Sequence, residues 1–196
     1  GFRTQLANKL GADIFLSIHM NSGSESGPSS VFQRAEGIET YILNNTSDAT
    51  SRRLAQLENT VLMPDADRDT QQTDVALILK DLRLDANLAE SKRLACAVQG
   101  SLIEATRGRR ATPTAIAHTK RDRGVKQALF HVLLGADMPS ILVEAGFLSN
   151  PRDRIWVSSQ AGRRSLARAI ASAVDQYKNL KNSPRAWTSI DRCKVN

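Results

Sequence analysis

Met138-Pro139-Ser140-Ile141-Leu142-Val143-Glu144-Ala145-Gly146-Phe147-Leu148-Ser149-Asn150-Pro151 is the stretch on which the reading of this 196-residue chain turns. Ile141, Leu142 and Val143 form a short apolar, partly β-branched run, the pattern of a buried strand. Glu144 follows directly, where a carboxylate does not sit without a partner or a job. Gly146 interrupts the strand, and Asn150-Pro151 reads as a helix N-cap followed by proline at the first helical position. A lone acid therefore stands at the C-terminal mouth of a buried strand, the place where open α/β sheets carry their chemistry.

A second stretch has the same form. Asp13-Ile14-Phe15-Leu16-Ser17-Ile18-His19-Met20-Asn21-Ser22 is an apolar strand that ends in a histidine. Both of its faces are largely apolar, which predicts a central strand covered on both sides. Gly37 to Leu43 alternates and carries β-formers, a further strand, and Ala128 to Leu133 reads as another.

Helical patterns separate the strands. Phe2 to Leu10 reads as the second half of a helix stopped by Gly11. Ser47 or Asp48 can cap a helix running to about Leu62, and Thr73 opens a further pattern through Lys80. A long helix runs from Leu84, with Leu88, Ala95, Val98 and Leu102 at helical spacing, to Gly108. Another spans about Arg163 to Leu180, with Leu166, Ile170, Val174 and Tyr177 as its apolar stripe. Alternating strands and helices predict an α/β three-layer sandwich, a central mostly parallel sheet flanked by helices. The polar stretches Asn21–Ser30 and Met63–Thr73 read as loop and linker. Because the chain opens on Gly1 in mid-helix, the expectation is a domain over 1–182 lacking its N-terminal part, first strand region included. A helical insertion at about 46–84 and a tail at 183–196 complete this organisation.

Composition narrows the function. A hydrophobic fraction of 41% is that of an ordinary globular domain, and no apolar run is long enough to span a membrane. The formal net charge of +7 favours anionic partners. The basic run Arg107 to Arg123 lacks any nucleic-acid motif and reads as a solvated loop and helix end, so no nucleic-acid partner is expected. Cys96 reads as a small core residue and Cys193 as part of a polar tail, without a disulfide framework or zinc-finger spacing.

His19 alone suits a metal ligand or a hydrogen-bonded structural histidine; Glu144 alone suits an ion pair with arginine. Together they suit amide hydrolysis: an imidazole holds Zn²⁺, which acidifies a water, and a carboxylate takes its proton. His118 reads as solvated and His131 as a packed residue within a strand.

Four segments carry a resemblance. Ala12–Ser22 (ADIFLSIHMNS), Gly37–Tyr41 (GIETY), Arg123–Ala128 (RGVKQA) and Met138–Asn150 (MPSILVEAGFLSN) resemble, in order, segments of the zinc-dependent N-acetylmuramoyl-L-alanine amidases, cell-wall hydrolases of the AmiC type. The resemblance runs from about Phe2 to Lys181. It implies that His19 is the last zinc-binding histidine and Glu144 the catalytic acid–base. The substrate would be peptidoglycan, cut between N-acetylmuramic acid and the L-alanine of the stem peptide. The family's GHGG histidine and its glutamate ligand have no counterpart here, which implies one of three expected ligands and an inactive fragment. The 46–84 segment resembles a regulatory insertion whose helix blocks the cleft until an activator protein displaces it. Glu58 is the candidate autoinhibitory carboxylate; an exposed helix charge is the equal alternative. A periplasmic or secreted location is implied. The competing reading is a non-catalytic cell-wall-binding or regulatory module on the same fold.

Overall fold

The computed structural model describes residues 2–21, 35–62, 83–107, 122–181 and 193–195. In chain order these form α1 (Phe2–Lys9), β1 (Phe15–Asn21), β2 (Ile38–Leu43), α2 (Ala49–Leu62) and α3 (Arg83–Arg107). There follow β3 (Asp122–Ala128), a 3₁₀ turn (His131–Leu133), β4 (Ser140–Phe147), α4 (Pro151–Ser158) and α5 (Gln160–Lys181).

The strands make one mixed sheet in the order β1-β4-β2-β3. β1 runs parallel to β4, β2 antiparallel to β4, and β3 parallel to β2. The α/β sandwich is as expected from the alternation of patterns. One face packs Ile38, Ile42, Val125, Ile141, Val143 and Ala145 against α3 and α5. The other packs Tyr41, Leu43, Leu142 and Ala128 against Leu54 and Ala55 of α2 and the 3₁₀ turn. β4 is buried along its whole length, as its apolar run predicted.

Polar side chains fasten the layers. Gln99 of α3 donates through Nε2 to the Ile38 carbonyl (2.9 Å) and to Asp122 Oδ1 (2.7 Å), and its Oε1 accepts from Thr40 Oγ1 (2.8 Å). Tyr177 of α5 donates to Glu90 of α3 at 2.7 Å. Asp48 caps α2, its Oδ2 accepting from the Ser51 backbone N–H and hydroxyl, and these bonds hold its carboxyl below the usual carboxylate range. Asn150 caps α4 as read, accepting from the N–H groups of Arg152 and Asp153. Gly11 ends α1 with a positive φ of 62°.

Several expectations are corrected. β1 is not central among the described residues: it pairs with β4 alone, and Ile18 is 53% exposed. Apolar residues on both faces do not tell a central strand from an edge one, and at Ile18 one face of β1 is left uncovered. The strand expected at Ala128–Leu133 lies at Asp122–Ala128, and His131 sits on the 3₁₀ turn. Pairing with β2 makes a strand of residues with little β-propensity, while the apolar Phe130–Leu133 run is buried as a turn. Cys96 and Cys193 are joined in a disulfide, across a sequence separation that no spacing rule reads. Val195, just beyond, bridges Val125 at the β3 edge. The expected loop over 22–30, the linker and helix over 63–80, and His118 lie outside the described residues. No helix among them is long and apolar enough to cross a membrane.

Candidate functional site

Side chains that alternate along a strand meet their neighbours across the sheet in register, so position along three strands sets the site. His19 of β1 is the register partner of Glu144 of β4, and Glu144 is the partner of Glu39 of β2. An imidazole and two carboxylates thus line up on one face of the sheet. The register slips just beyond: β1 moves two residues from His19 to Asn21 while β4 moves three from Glu144 to Phe147. This bulge lies over Gly146, where an added Cβ would meet Asp153 at 3.3 Å and Val157 at 3.4 Å. Buried Asp153 stitches the exit of β4, its Oδ2 accepting from the N–H groups of Phe147 and Gly37, both at 2.9 Å.

Glu58 completes the cluster from the helix layer. Ser51, Leu54, Ala55 and Glu58 follow one another at helical spacing on the face of α2 turned to the sheet. Ser51, Leu54 and Ala55 are buried. Asn59 clamps the helix to the turn after β3. Its amide donates to the Leu129 carbonyl at 2.8 Å and its Oδ1 accepts from the His131 N–H at 2.8 Å. Glu58 Oε2 then lies 3.2 Å from His19 Nδ1, with the two side chains 22% and 23% exposed. Ligand atoms of His19, Glu58 and Glu144 all lie within 4.8 Å of one another. The structure places Glu58 half-buried inside the cluster rather than at an exposed helix position.

Glu144 is fully buried, and among the described residues neither of its carboxylate oxygens has a hydrogen-bond partner. Burial pushes its carboxyl well above the usual range, and the negative charges of Glu58 and Glu39 push the same way. Glu39, 2% exposed, is the opposite case. Its Oε2 accepts from Arg123 Nε (2.6 Å) and Lys126 Nζ (2.8 Å), and its Oε1 from the Tyr41 hydroxyl (2.9 Å). Burial beside Glu39 raises the Tyr41 phenol above its ordinary value, so it remains a donor.

An imidazole and a carboxylate fit a borderline divalent metal such as zinc. Beside them stands a second carboxylate, buried and unpartnered among the described residues, placed to serve a bound water. The structure thus brings together all three residues singled out from the sequence. Reading the sequence missed Glu39, Arg123, Lys126 and Asp153. A signal existed for Glu39, a carboxylate inside the apolar strand IETYIL and as anomalous there as Glu144 in its own strand. Arg123 is also not the solvated end of a basic run, since it is bonded to Glu39; 108–121 lies outside the described residues.

Residues 2–176 match the sequence profile of the N-acetylmuramoyl-L-alanine amidase family. The chain is 36% identical, over 91% of its length, to 39% of N-acetylmuramoyl-L-alanine amidase AmiC of Neisseria meningitidis. It is 27% identical, over 94% of its length, to 58% of N-acetylmuramoyl-L-alanine amidase AmiA of Escherichia coli. Among solved structures, N-acetylmuramoyl-L-alanine amidase from Clostridium difficile 630 superposes with a TM-score of 0.56 at 25% identity, covering 91% of this chain and 64% of that one. The chain therefore spans between about two fifths and two thirds of the length of these relatives.

Proposed function

From the premise that this chain belongs to the N-acetylmuramoyl-L-alanine amidase family, which its match over residues 2–176 shows, we propose that its site hydrolyses the amide between N-acetylmuramic acid and the L-alanine of peptidoglycan. The observation that carries the reading is the juxtaposition of His19 and Glu144, in register on neighbouring strands, with Glu144 buried and unpartnered.

Each residue has a part that follows from its surroundings. His19 would present an imidazole to a bound metal, and Glu58 would add a carboxylate while α2 is docked. A bound Zn²⁺ supplies Lewis acidity and brings the pKa of a water to about 7. Glu144 handles the proton. Burial gives its Oε atoms an unusually high proton affinity, which suits a base that must take a proton near neutral pH and then give it to the departing alanine nitrogen. The layers of α2 and β2 exclude solvent from that carboxylate. Glu58 reaches from α2 to within 3.2 Å of His19, which supports an autoinhibitory role for α2 and an activator protein that displaces it. Such a protein must bind the displaced state better than the docked one. The disulfide suits the oxidising cell envelope, and the net charge of +7 suits an anionic wall polymer.

The competing module without catalysis is not favoured, since the relatives named above are amidases. The test joins zinc stoichiometry to dye release from labelled peptidoglycan. Release that is lost in Glu144→Gln while zinc is kept supports the assignment. Equal release by that variant removes Glu144 from the mechanism.

A further inference from the structure

Arg123 and Lys126 are three residues apart, which in a regular strand puts them on opposite faces. They nevertheless meet on one carboxylate oxygen, Oε2 of Glu39. A bulge makes this possible. β2 advances two residues from Ile38 to Thr40 while β3 advances three from Asp122 to Val125, so β3 holds one extra residue. Gly124 takes a φ of 77° there. The bulge is braced by Asp122, whose Oδ1 accepts from the Gly124 N–H (2.9 Å) and from Gln99 Nε2 (2.7 Å). The extra residue turns Arg123 onto the face that already carries Lys126, Tyr41 and Glu39.

The charges at this point do not balance. Among the described residues two cations share the single carboxylate of Glu39, which needs only one. Asp48 lies within the field of Lys126, but its Oδ2 is spent on Ser51. Arg123 bonds Glu39 through Nε, and its guanidinium stands 5.0 Å from the centroid of the Phe147 ring. Nη1 and Nη2 have no hydrogen-bond acceptor among the described residues. The two cations keep 19% and 14% of their side-chain surface in contact with solvent. A planar fork fixed against an aromatic ring, with a second cation beside it, is what bidentate recognition of a carboxylate requires.

We propose that Arg123 and Lys126 form a subsite that binds a free carboxylate of the substrate's stem peptide, beside the row His19–Glu144–Glu39. The proposal rests on the amidase reading for the identity of the peptide. Glu39 orients the cations without cancelling them, and the bulge at Gly124 is the device that brings them together.

Titration calorimetry of the chain with an acidic stem tripeptide, and with the same peptide carrying every carboxyl as an amide, tests it. The free acid should bind about tenfold more tightly than the amide. Arg123→Gln and Lys126→Gln should each lose most of that preference, and Arg123→Lys should keep part of it. Glu39→Gln should enlarge the preference, because it removes a negative charge; a purely structural ion pair predicts the reverse. Equal affinity of the parent for both peptides, or a full preference in folded Arg123→Gln, overturns the proposal. The titration needs no turnover. An acid preference carried by Arg123 in a protein that fails to hydrolyse peptidoglycan leaves the subsite standing and ends the amidase reading; hydrolysis without the preference does the opposite.

Discussion

His19 and Glu144 face each other in register across the parallel β1–β4 pair, although most of the chain separates them in sequence. The relationship puts an imidazole beside a carboxylate that has no hydrogen-bond partner among the described residues. A buried carboxyl in that state favours its protonated form.

The consequence for stability has a definite sign. In metal-free protein the folded chain keeps a proton on Glu144 to a higher pH than the unfolded chain, whose carboxyl titrates near 4.5. The contribution of this group is fully present below that value and is lost as pH rises toward its raised folded value. Glu144→Gln removes the ionisation. The variant should show a flatter decline of stability as pH rises above 4.5, and once the parent's carboxyl has ionised should exceed it by about 1–3 kcal/mol. Urea melts in the presence of a chelator measure this; parallel pH profiles for the two proteins would contradict it.

Metal affinity separates the roles of the three clustered residues. His19→Ala and Glu58→Ala each remove a ligand, so zinc affinity should fall more than about 100-fold, beyond the loss caused by outer-shell changes. Glu144→Gln should leave affinity within a few-fold of the parent, because the proton carrier is not needed to hold the ion. Competition with a chromophoric chelator gives the ranking. An unchanged affinity in His19→Ala would show that the imidazole is not a ligand.

Much of the fold and part of this site could be read before any coordinates. Strand and helix alternation and the α4 cap at Asn150-Pro151 are local patterns, and local patterns survive into the structure. The expected strand ends do not, since pairing carries β1 past His19 to Asn21 and β4 past Glu144 and through Gly146 to Phe147. What escaped depends on pairing. The edge position of β1, the bulge at Gly124 and the meeting of Arg123 with Lys126 are properties of two strands together. The place of β3 escaped for the same reason, since Asp122–Ala128 is a strand only because β2 lies beside it. The Cys96–Cys193 link escaped because the second cysteine lies in a tail without periodicity. Glu58 stood between. Its helical spacing from Leu54 and Ala55 already put it on the covered side of α2, and that periodicity is the better guide than its charge.

The disulfide should carry a measurable share of stability. Cys96 and Cys193 are the only cysteines of the chain, and their bond closes a loop with a sequence separation of 97. Closing so long a loop restricts the unfolded chain, and breaking it costs about 2–4 kcal/mol. Reductant should lower the unfolding free energy of the parent, read from urea melts, by that amount and leave the double variant Cys96→Ser, Cys193→Ser unmoved. Peptide mapping without reductant should recover the two cysteine peptides as one species. Recovery of two free thiols would contradict the linkage.

Gly162 tests how tightly the helix layer holds the β4 exit. At the junction of α4 and α5, Ser159 donates through its hydroxyl to the Trp156 carbonyl and accepts from the Gly162 N–H. The chain turns so closely that a Cβ on Gly162 would come within 1.9 Å of the Trp156 carbonyl oxygen. That oxygen is backbone and cannot swing aside, so Gly162→Ala must push α4 away from α5. The cost should be about 2–3 kcal/mol, the range of overpacked sites. Because Asp153 on α4 holds the Phe147 and Gly37 N–H groups, the displacement should also loosen the end of β4 next to Glu144. Hydrogen exchange is therefore expected to quicken at Phe147 and Gly37 in the variant, and to stay unchanged in β3. Unaltered exchange at both amides would mean that α4 moves without carrying the site.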